Sequence, residues 1–315
     1  RKRRSPRRGE SASRQSPGKP SRTCQNQEVT FQGSGSIEGA DVSGGGGGGG
    51  GGRIALGGGA GLIITIVALL FGVNPGQILG NSTNDQSSTT SSQTAIDQHL
   101  ASCTYEMANQ GDAICRIKAT AASLNVVWPN LMDGYTAPRT KVFSGSVNTG
   151  CGAATSATGP FYCPADQTVY VDPTFFDDVL VGQLGGSNDA LSQEYVIAHE
   201  FGHHVENLTG VLTKGQRMGN NGSVRIELQA DCLAGVWANH ADDGSGDALL
   251  KPLTPADIQR VGQTAKAIGD DSIQGANSNR EGWTHGSAEQ RSRWFGIGYQ
   301  SGDPRKCDTF ATNDL

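Results

Sequence analysis

The feature that most constrains this chain is a run of 20 residues without a charge, at positions 54–73. An α-helix rises about 1.5 Å per residue, so a helix of this length would span about 30 Å, the thickness of the apolar core of a bilayer. The run therefore predicts a single transmembrane helix that attaches the protein to the cell membrane. Its most apolar part covers only residues 62–73, which is also the length expected of a cleaved signal peptide, and this alternative stays open.

Positive charge is concentrated before this run. Residues 1–53 contain ten Lys or Arg and four Asp or Glu, although the net charge of the whole chain is −5. Because positively charged flanks stay in the cytoplasm, we expect residues 1–53 to form a disordered basic cytoplasmic tail. The rest of the chain would then lie outside the membrane, in the periplasm or the extracellular space. Its acidic balance excludes a uniformly basic nucleic-acid-binding protein, so no nucleic acid is expected as a partner.

Two segments follow the apolar run. Residues 74–95 are mostly Ser, Thr, Asn, Gln and Gly, a composition typical of a flexible linker. Residues 96–315 are long enough to form one globular domain with a hydrophobic core. Helical spacing and β-branched segments both occur there, which predicts an α+β domain.

The cysteines agree with an oxidising compartment. Besides Cys24 there are six, an even number, all in the predicted domain: Cys103, Cys115, Cys151, Cys163, Cys232 and Cys307. Six cysteines allow 15 pairings, which sequence does not resolve. We expect the local pairs 103–115 and 151–163, with 232–307 closing a longer loop; free, buried cysteines are the alternative.

The segment 191–210 carries the most informative motif, His199-Glu200-Phe201-Gly202-His203, within a pattern that predicts a helix. A step of four residues returns to the same helix face, so both imidazoles could bind one Zn²⁺. Glu200 points about 100° away. It is therefore predicted as a general base for a metal-bound water and not as a ligand.

A mononuclear catalytic zinc needs a third protein ligand and one open position. The predicted helix 223–241 offers Glu227 and Asp231, four residues apart on one face. Glu227 would complete a His₂Glu site, and Asp231 would accept the free N–H of a ligand histidine. An exposed acidic helix face is the alternative.

Several segments together resemble one known family. They are GPFYCPADQTVYVD (159–172), YVIAHEFGHHVENLTG (195–210), ELQADCLAGVWA (227–238), AIGDDSIQ (267–274) and THGSAEQRSRWFGIGYQSGD…CDTF (284–310). They are similar to the bacterial neutral zinc metallopeptidases, which are membrane-anchored proteins with the H-E-x-x-H motif. The motif followed by E-x-x-x-D resembles the gluzincin arrangement, and the third His of metzincins is missing.

The resemblance implies a zincin-like metallopeptidase domain with a small edge sheet and active-site helices. It also implies His199, His203 and Glu227 as zinc ligands, Glu200 as the base and Asp231 as the residue that orients a ligand histidine. Peptide hydrolysis is the activity that it implies, with a peptide or protein as substrate.

Two elements are candidates for contacts with substrate. His285 precedes a predicted helix, 288–299, and could donate to the oxyanion of the reaction; a capping or packing role is the alternative. The strand-like segment 168–171 could be an exposed edge that pairs with substrate backbone.

The sequence leaves two other functions open. One is a non-enzymatic envelope-binding module in which zinc joins two helices, with His204 or Cys232 as a fourth ligand. The other is a zinc amidase that acts on cell-wall peptide. An open coordination position would separate the enzymes from the binding module, because structural zinc usually has four protein ligands.

Overall fold

The computed structural model describes residues 30–45, 86–242, 246, 248–275 and 277–315. The described residues form helices and short strands, which agrees with the predicted α+β class. The helices are α1 (Gln86–Ser102), α2 (Tyr105–Asn109), α3 (Ala113–Leu131), α4 (Ala190–Leu208), α5 (Val211–Gln216), α6 (Asn220–Ala241), α7 (Pro255–Ala267), α8 (Asp270–Gln274) and α9 (Ala288–Ser301). The strands are β1 (Val42–Gly44), β2 (Arg139–Val142), β3 (Ser146–Thr149), β4 (Gly152–Thr155), β5 (Phe161–Cys163) and β6 (Thr168–Val171).

The main sheet has four strands in the order β1-β2-β6-β5. Strands β1, β2 and β6 are parallel, and β5 is antiparallel to β6. The segment 168–171 is therefore a strand, as predicted, but it is central and fully buried instead of an exposed edge. Its alternating Val and Tyr side chains are buried on both faces of the sheet, as is usual for strands of a parallel sheet that is covered on both faces.

Residues 30–45 belong to the folded body. Phe31 and Ile37 are buried in the main core, and Ser43 of β1 pairs with Lys141 of β2. The Thr30 hydroxyl donates to the buried carboxylate of Glu194 in α4, at 2.6 Å. The prediction that residues 1–53 form a disordered cytoplasmic tail is therefore wrong for residues 30–45. It rested on composition, which does not report contacts with distant parts of the chain.

The same contacts correct the predicted topology. Residues 30–45 and the domain share one sheet and one core. A single crossing of a membrane by residues 54–73 would instead put them on opposite sides. Residues 54–73 themselves lie outside the described residues. In the part of the chain that is described, no helix combines the length and the apolar character needed to cross a membrane.

Helix α1 corrects the predicted boundary between linker and domain. It begins at Gln86, so residues 86–95 are helical instead of flexible. The side chain of Gln93 contacts the backbone oxygen of Gly44, and the Asp97 carboxylate accepts from the Gly44 N–H at 2.6 Å. The helix is thus held by β1, which composition alone could not indicate. Residues 74–85 of the predicted linker lie outside the described residues.

Three disulfides confirm the expected pairing of the cysteines. They join Cys103 to Cys115, Cys151 to Cys163 and Cys232 to Cys307. The first connects the segment after α1 to the first turn of α3, and the second ties the loop of the β3–β4 hairpin to β5. The third fixes α6 to the last residues of the chain. Because such cross-links limit the unfolded chain, each stabilises the domain.

Helices α4, α6 and α9 pack together and carry the predicted motifs. Asp189 caps α4 by accepting from the Leu191 N–H, at 3.0 Å. Ser287 and Gln290 form a capping box at the start of α9. Gly298 of α9 lies against α6, where a Cβ would be 1.9 Å from the Cys232 carbonyl oxygen. The glycine therefore allows α9 to approach α6 closely, which brings side chains of α9 toward the motif helices.

Candidate metal centre and active site

His199 and His203 lie on one face of α4, as the four-residue spacing predicts. Both are buried, and their ring centroids are 4.7 Å apart. Between them, Gly202 faces α6, where a Cβ would lie 2.9 Å from the Ala230 Cα. Gly202 thus permits the close contact between α4 and α6 that brings the second helix to the histidines.

Glu227 of α6 faces both imidazoles. Its Oε2 is 3.1 Å from Nε2 of His199, and its Oε1 is 3.6 Å from Nε2 of His203. The ligand atoms of these three residues all lie within 4.8 Å of one another. Two imidazole nitrogens and one carboxylate oxygen are the donor set of many catalytic zinc sites, and they leave the fourth tetrahedral position open. The three residues fit a zinc ion.

Asp231 lies behind His199, where the sequence predicts it. Its Oδ1 is 2.8 Å from Nδ1 of His199, so the imidazole donates this N–H and keeps Nε2 directed at Glu227. Arg291 of α9 donates two hydrogen bonds to the same carboxylate, at 2.8 and 2.9 Å, and the Tyr195 hydroxyl donates a third. Such bonds fix the orientation of a ligand histidine and raise its basicity.

Glu206 has the same relation to His203 and was not among the predicted site residues. The two residues are three positions apart on α4, and Nδ1 of His203 donates to Oε2 of Glu206 at 2.8 Å. Glu206 is fully buried, and burial raises the pKa of its carboxyl well above the usual value. The spacing His-x-x-Glu on one helix was the signal that could have identified it.

The electrostatics of the cluster favour a cation. Burial opposes the protonation of His199, but Asp231 and Glu227 outweigh it and raise the pKa of His199 to about 10. Burial lowers the pKa of His203 to about 3, so this imidazole is neutral and able to coordinate. Burial also opposes the ionisation of Glu227, but the facing imidazoles keep the pKa of its carboxyl below the usual value. The carboxylates of Asp231 and Glu227 thus favour positive charge at His199.

Glu200 lines the same cavity as the three candidate ligands but does not belong to their group. Its side chain is buried, and burial raises the pKa of its carboxyl to about 7. The Tyr162 backbone in β5 forms a hydrogen bond to this carboxylate, which links Glu200 to the edge strand of the sheet. A carboxylate with a pKa near neutral is suited to take up a proton during catalysis.

His285 also lines this cavity. Asp270, the first residue of α8, accepts from Nδ1 of His285 at 3.2 Å. The other oxygen of Asp270 accepts the backbone N–H groups of Thr284, His285 and Gly286, at 2.7–2.9 Å. Ser287 caps α9, so His285 is not the capping residue. Asp270 was not predicted, because it lies 15 residues before His285 and only the fold brings the two together.

The two residues considered as a fourth zinc ligand are engaged elsewhere. Cys232 is in a disulfide with Cys307. His204 accepts from the Tyr162 hydroxyl at 3.0 Å and donates to the Thr136 carbonyl oxygen at 2.6 Å. Neither residue closes the metal site.

Comparison with known proteins agrees with this geometry. A family model described as "Putative neutral zinc metallopeptidase" matches residues 29–310. An uncharacterized protein of Mycobacterium tuberculosis is 48% identical over 258 residues, covering 79% of this chain and 86% of the relative. The uncharacterized protein YpfJ of Escherichia coli is 37% identical over 265 residues, with the same coverage. No solved structure matches the chain.

The family model spans most of the chain, including residues 30–45, and the matched region contains all the residues of the cluster. This chain therefore belongs to the neutral zinc metallopeptidase family.

Proposed function

We propose that this protein is a zinc-dependent peptidase that hydrolyses peptide bonds in a peptide or protein substrate. The observation that carries the proposal is the convergence of His199, His203 and Glu227 beside the buried, non-ligating carboxylate of Glu200. A metal that only joins two helices needs no acid–base group of this kind. The arrangement of the motif helix beside an edge strand also supports a zincin-like fold.

His199, His203 and Glu227 would hold the zinc ion. When bound, zinc makes water a stronger nucleophile at neutral pH and polarises a carbonyl oxygen. Asp231 and Glu206 keep the two imidazoles oriented, since each accepts the Nδ1 proton of one ligand.

Glu200 would act as the general base that removes a proton from the attacking water and passes it to the leaving amine. His285 would donate a hydrogen bond to the oxygen that becomes negatively charged in the transition state. Asp270 orients the ring of His285 by accepting its Nδ1 proton, and donation from the other nitrogen, Nε2, requires that this nitrogen carry a proton as well.

Attachment to a membrane through residues 54–73 stays a prediction from the sequence. If these residues do enter a bilayer, residues 30–45 and the domain must lie on one side of it, because they share a sheet.

The Glu200→Gln variant of the full chain tests the proposal. We expect it to bind one zinc per chain like the wild type and to lose the hydrolysis that the wild type shows on a peptide library. Glu106→Gln, at an exposed position on α2, is the matched control and should keep both properties.

Loss of zinc from Glu200→Gln would mean that Glu200 is a ligand. A zinc-loaded wild type that cleaves no peptide would favour the binding module instead.

A further inference from the structure

We propose that the cavity beside the metal centre binds a large, uncharged, apolar side chain of the substrate, next to the peptide bond that is cleaved. This proposal rests on the proposed peptidase function and names the substrate class of the same site.

Apart from the ionisable cluster, the walls are mostly apolar and come from several parts of the chain. Phe175, Val179 and Leu184 precede α4, Val196 lies on α4, and Ile268 and Ile273 lie just before and within α8. Val179, Leu184, Ile268 and Ile273 are only half-buried although they are large and apolar. A side chain that fills the cavity would remove their exposed surface from water, which is favourable.

The cavity also lies next to the reacting centre. Val196 precedes His199 by three residues on α4, which is about 4.5 Å along the helix axis. Both residues line the cavity together with Glu200. A side chain held against Val196 therefore belongs to a residue that adjoins the cleaved bond, and not to a distant part of the substrate.

The ionisable groups that line the cavity already have partners within the described structure. Glu227 faces the two imidazoles, Arg291 is paired with Asp231, and His285 is paired with Asp270. Glu200 is the proposed general base and would contact the attacking water. A Lys, Arg, Asp or Glu side chain that entered the cavity would lose its hydration and find no free partner of opposite charge. The cavity therefore discriminates against charged residues.

Peptide binding tests this inference separately from hydrolysis. The zinc-loaded Glu200→Gln protein is titrated by calorimetry with blocked peptides Ala-Ala-X-Ala-Ala, in which X is Leu, Phe, Gln, Lys or Asp. We expect the Leu and Phe peptides to bind at least about tenfold more tightly than the Lys and Asp peptides. Equal or tighter binding of the charged peptides would overturn the proposal.

A substitution in the wall should change this preference. Leu184 is half-buried in a loop, so Leu184→Asp introduces a charge with little disturbance of the core. We expect this substitution, made in the Glu200→Gln background, to weaken binding of the Leu peptide about tenfold. The Lys peptide should then bind more tightly than the Asp peptide. Val126→Asp, at an apolar position that is 46% exposed and away from the cavity, should leave the order unchanged.

Leu184→Ala keeps the test valid if the Asp variant does not fold. It should reduce the preference for Phe and Leu without reversing it, and an unchanged preference would contradict the assignment of this wall. In the wild type, hydrolysis of the same peptides should follow the order of binding. Tight binding of apolar peptides without any hydrolysis would refute the peptidase function and leave the subsite in place.

Discussion

His199 and Asp231 are joined by a 2.8 Å hydrogen bond from the imidazole Nδ1 to the carboxylate Oδ1, although they lie on two different helices. Asp231 is held in turn by Arg291 from a third helix. The direction in which Nε2 of His199 points therefore depends on the packing of α4, α6 and α9. Changes in this packing should weaken metal binding before they disturb the overall fold.

The first prediction compares the two carboxylates of α6. Glu227→Gln should lose most zinc affinity, because it removes a charged ligand, whereas Asp231→Asn should lose about 10- to 100-fold in affinity or activity. Zinc titration and steady-state kinetics on both variants measure this. If Asp231→Asn lost zinc as completely as Glu227→Gln, Asp231 would have to be a ligand. If neither zinc affinity nor turnover changed, Asp231 would have no role in the site.

The second prediction concerns Glu206, the acceptor of the His203 Nδ1 proton. Glu206→Gln keeps a carbonyl acceptor but can also turn its amide N–H₂ toward His203, so zinc affinity should fall about 10- to 100-fold. Competition with a chromophoric chelator measures the affinity. Glu281→Gln, at an exposed position, is the control and should bind zinc like the wild type. Unchanged affinity in Glu206→Gln would refute the orienting role.

The third prediction separates His285 from the metal ligands. His285→Ala should keep its zinc and lower kcat by about 10²- to 10³-fold, the usual effect of removing one oxyanion donor. His240→Ala, which removes a histidine bonded to the Gly302 carbonyl oxygen, should not change kcat. A rise in KM at constant kcat would show that His285 binds substrate without stabilising the transition state.

The fourth prediction concerns pH and the buried carboxyl of Glu194. Burial raises its pKa from 4.5 to about 7, against the opposing charge of Arg116. Because the folded pKa is above the unfolded one, the folded state holds the proton more tightly. The stability from this group is fully present below pH 4.5 and is lost as the pH rises to about 7.

Comparison of the wild type with Glu194→Gln isolates this effect. Between pH 4.5 and 8, the free energy of unfolding of the wild type should fall by on the order of 3 kcal/mol relative to that of Glu194→Gln. This value follows from about 1.36 kcal/mol per pKa unit. Urea titrations at several pH values measure it. A difference that is constant over this range would contradict the raised pKa.

The fifth prediction tests the position of β1. Ser43 and Lys141 are register partners in the parallel pair of β1 and β2. In a Cys24→Ser background, Ser43→Cys with Lys141→Cys should form a disulfide within one chain on mild oxidation. Ser43→Cys with Met218→Cys, which uses an exposed position outside the sheet, should not. Cross-linked dimers, or no cross-link at all, would mean that β1 does not pair within its own chain.

The local part of the site could be predicted from the sequence. The spacing of His199 and His203 is a property of one helix, and so is the spacing of Glu227 and Asp231. Both helices form where the pattern predicts, α4 at Ala190–Leu208 and α6 at Asn220–Ala241. Their mutual position follows from Gly202, whose role becomes visible only once the two helices are seen in contact.

The non-local part could not be predicted. Arg291 meets Asp231 across 60 residues of sequence, and no local pattern marks that pair. The segment 30–45 has few apolar residues and no helical or strand period, so composition indicated disorder. Its order comes from Phe31 and Ile37, which are buried by residues far away in the chain. The excess of Lys and Arg in residues 1–53 predicts a cytoplasmic location only if the segment is unfolded. The packing of residues 30–45 into the domain overrides that prediction.

Strand β1 has a consequence for the biosynthesis of the protein. It is translated before any of its partners, since β2 ends at residue 142 and the bridge from Phe31 reaches Leu250. The edge of β1 that pairs with β2 therefore stays open until residue 142 has emerged from the ribosome, and an open strand edge is a site where nascent chains pair with one another. Once β2 has formed, β1 covers its outer edge. Truncation of residues 30–45 should therefore reduce the soluble yield of the protein well before it alters the chemistry of the candidate zinc site.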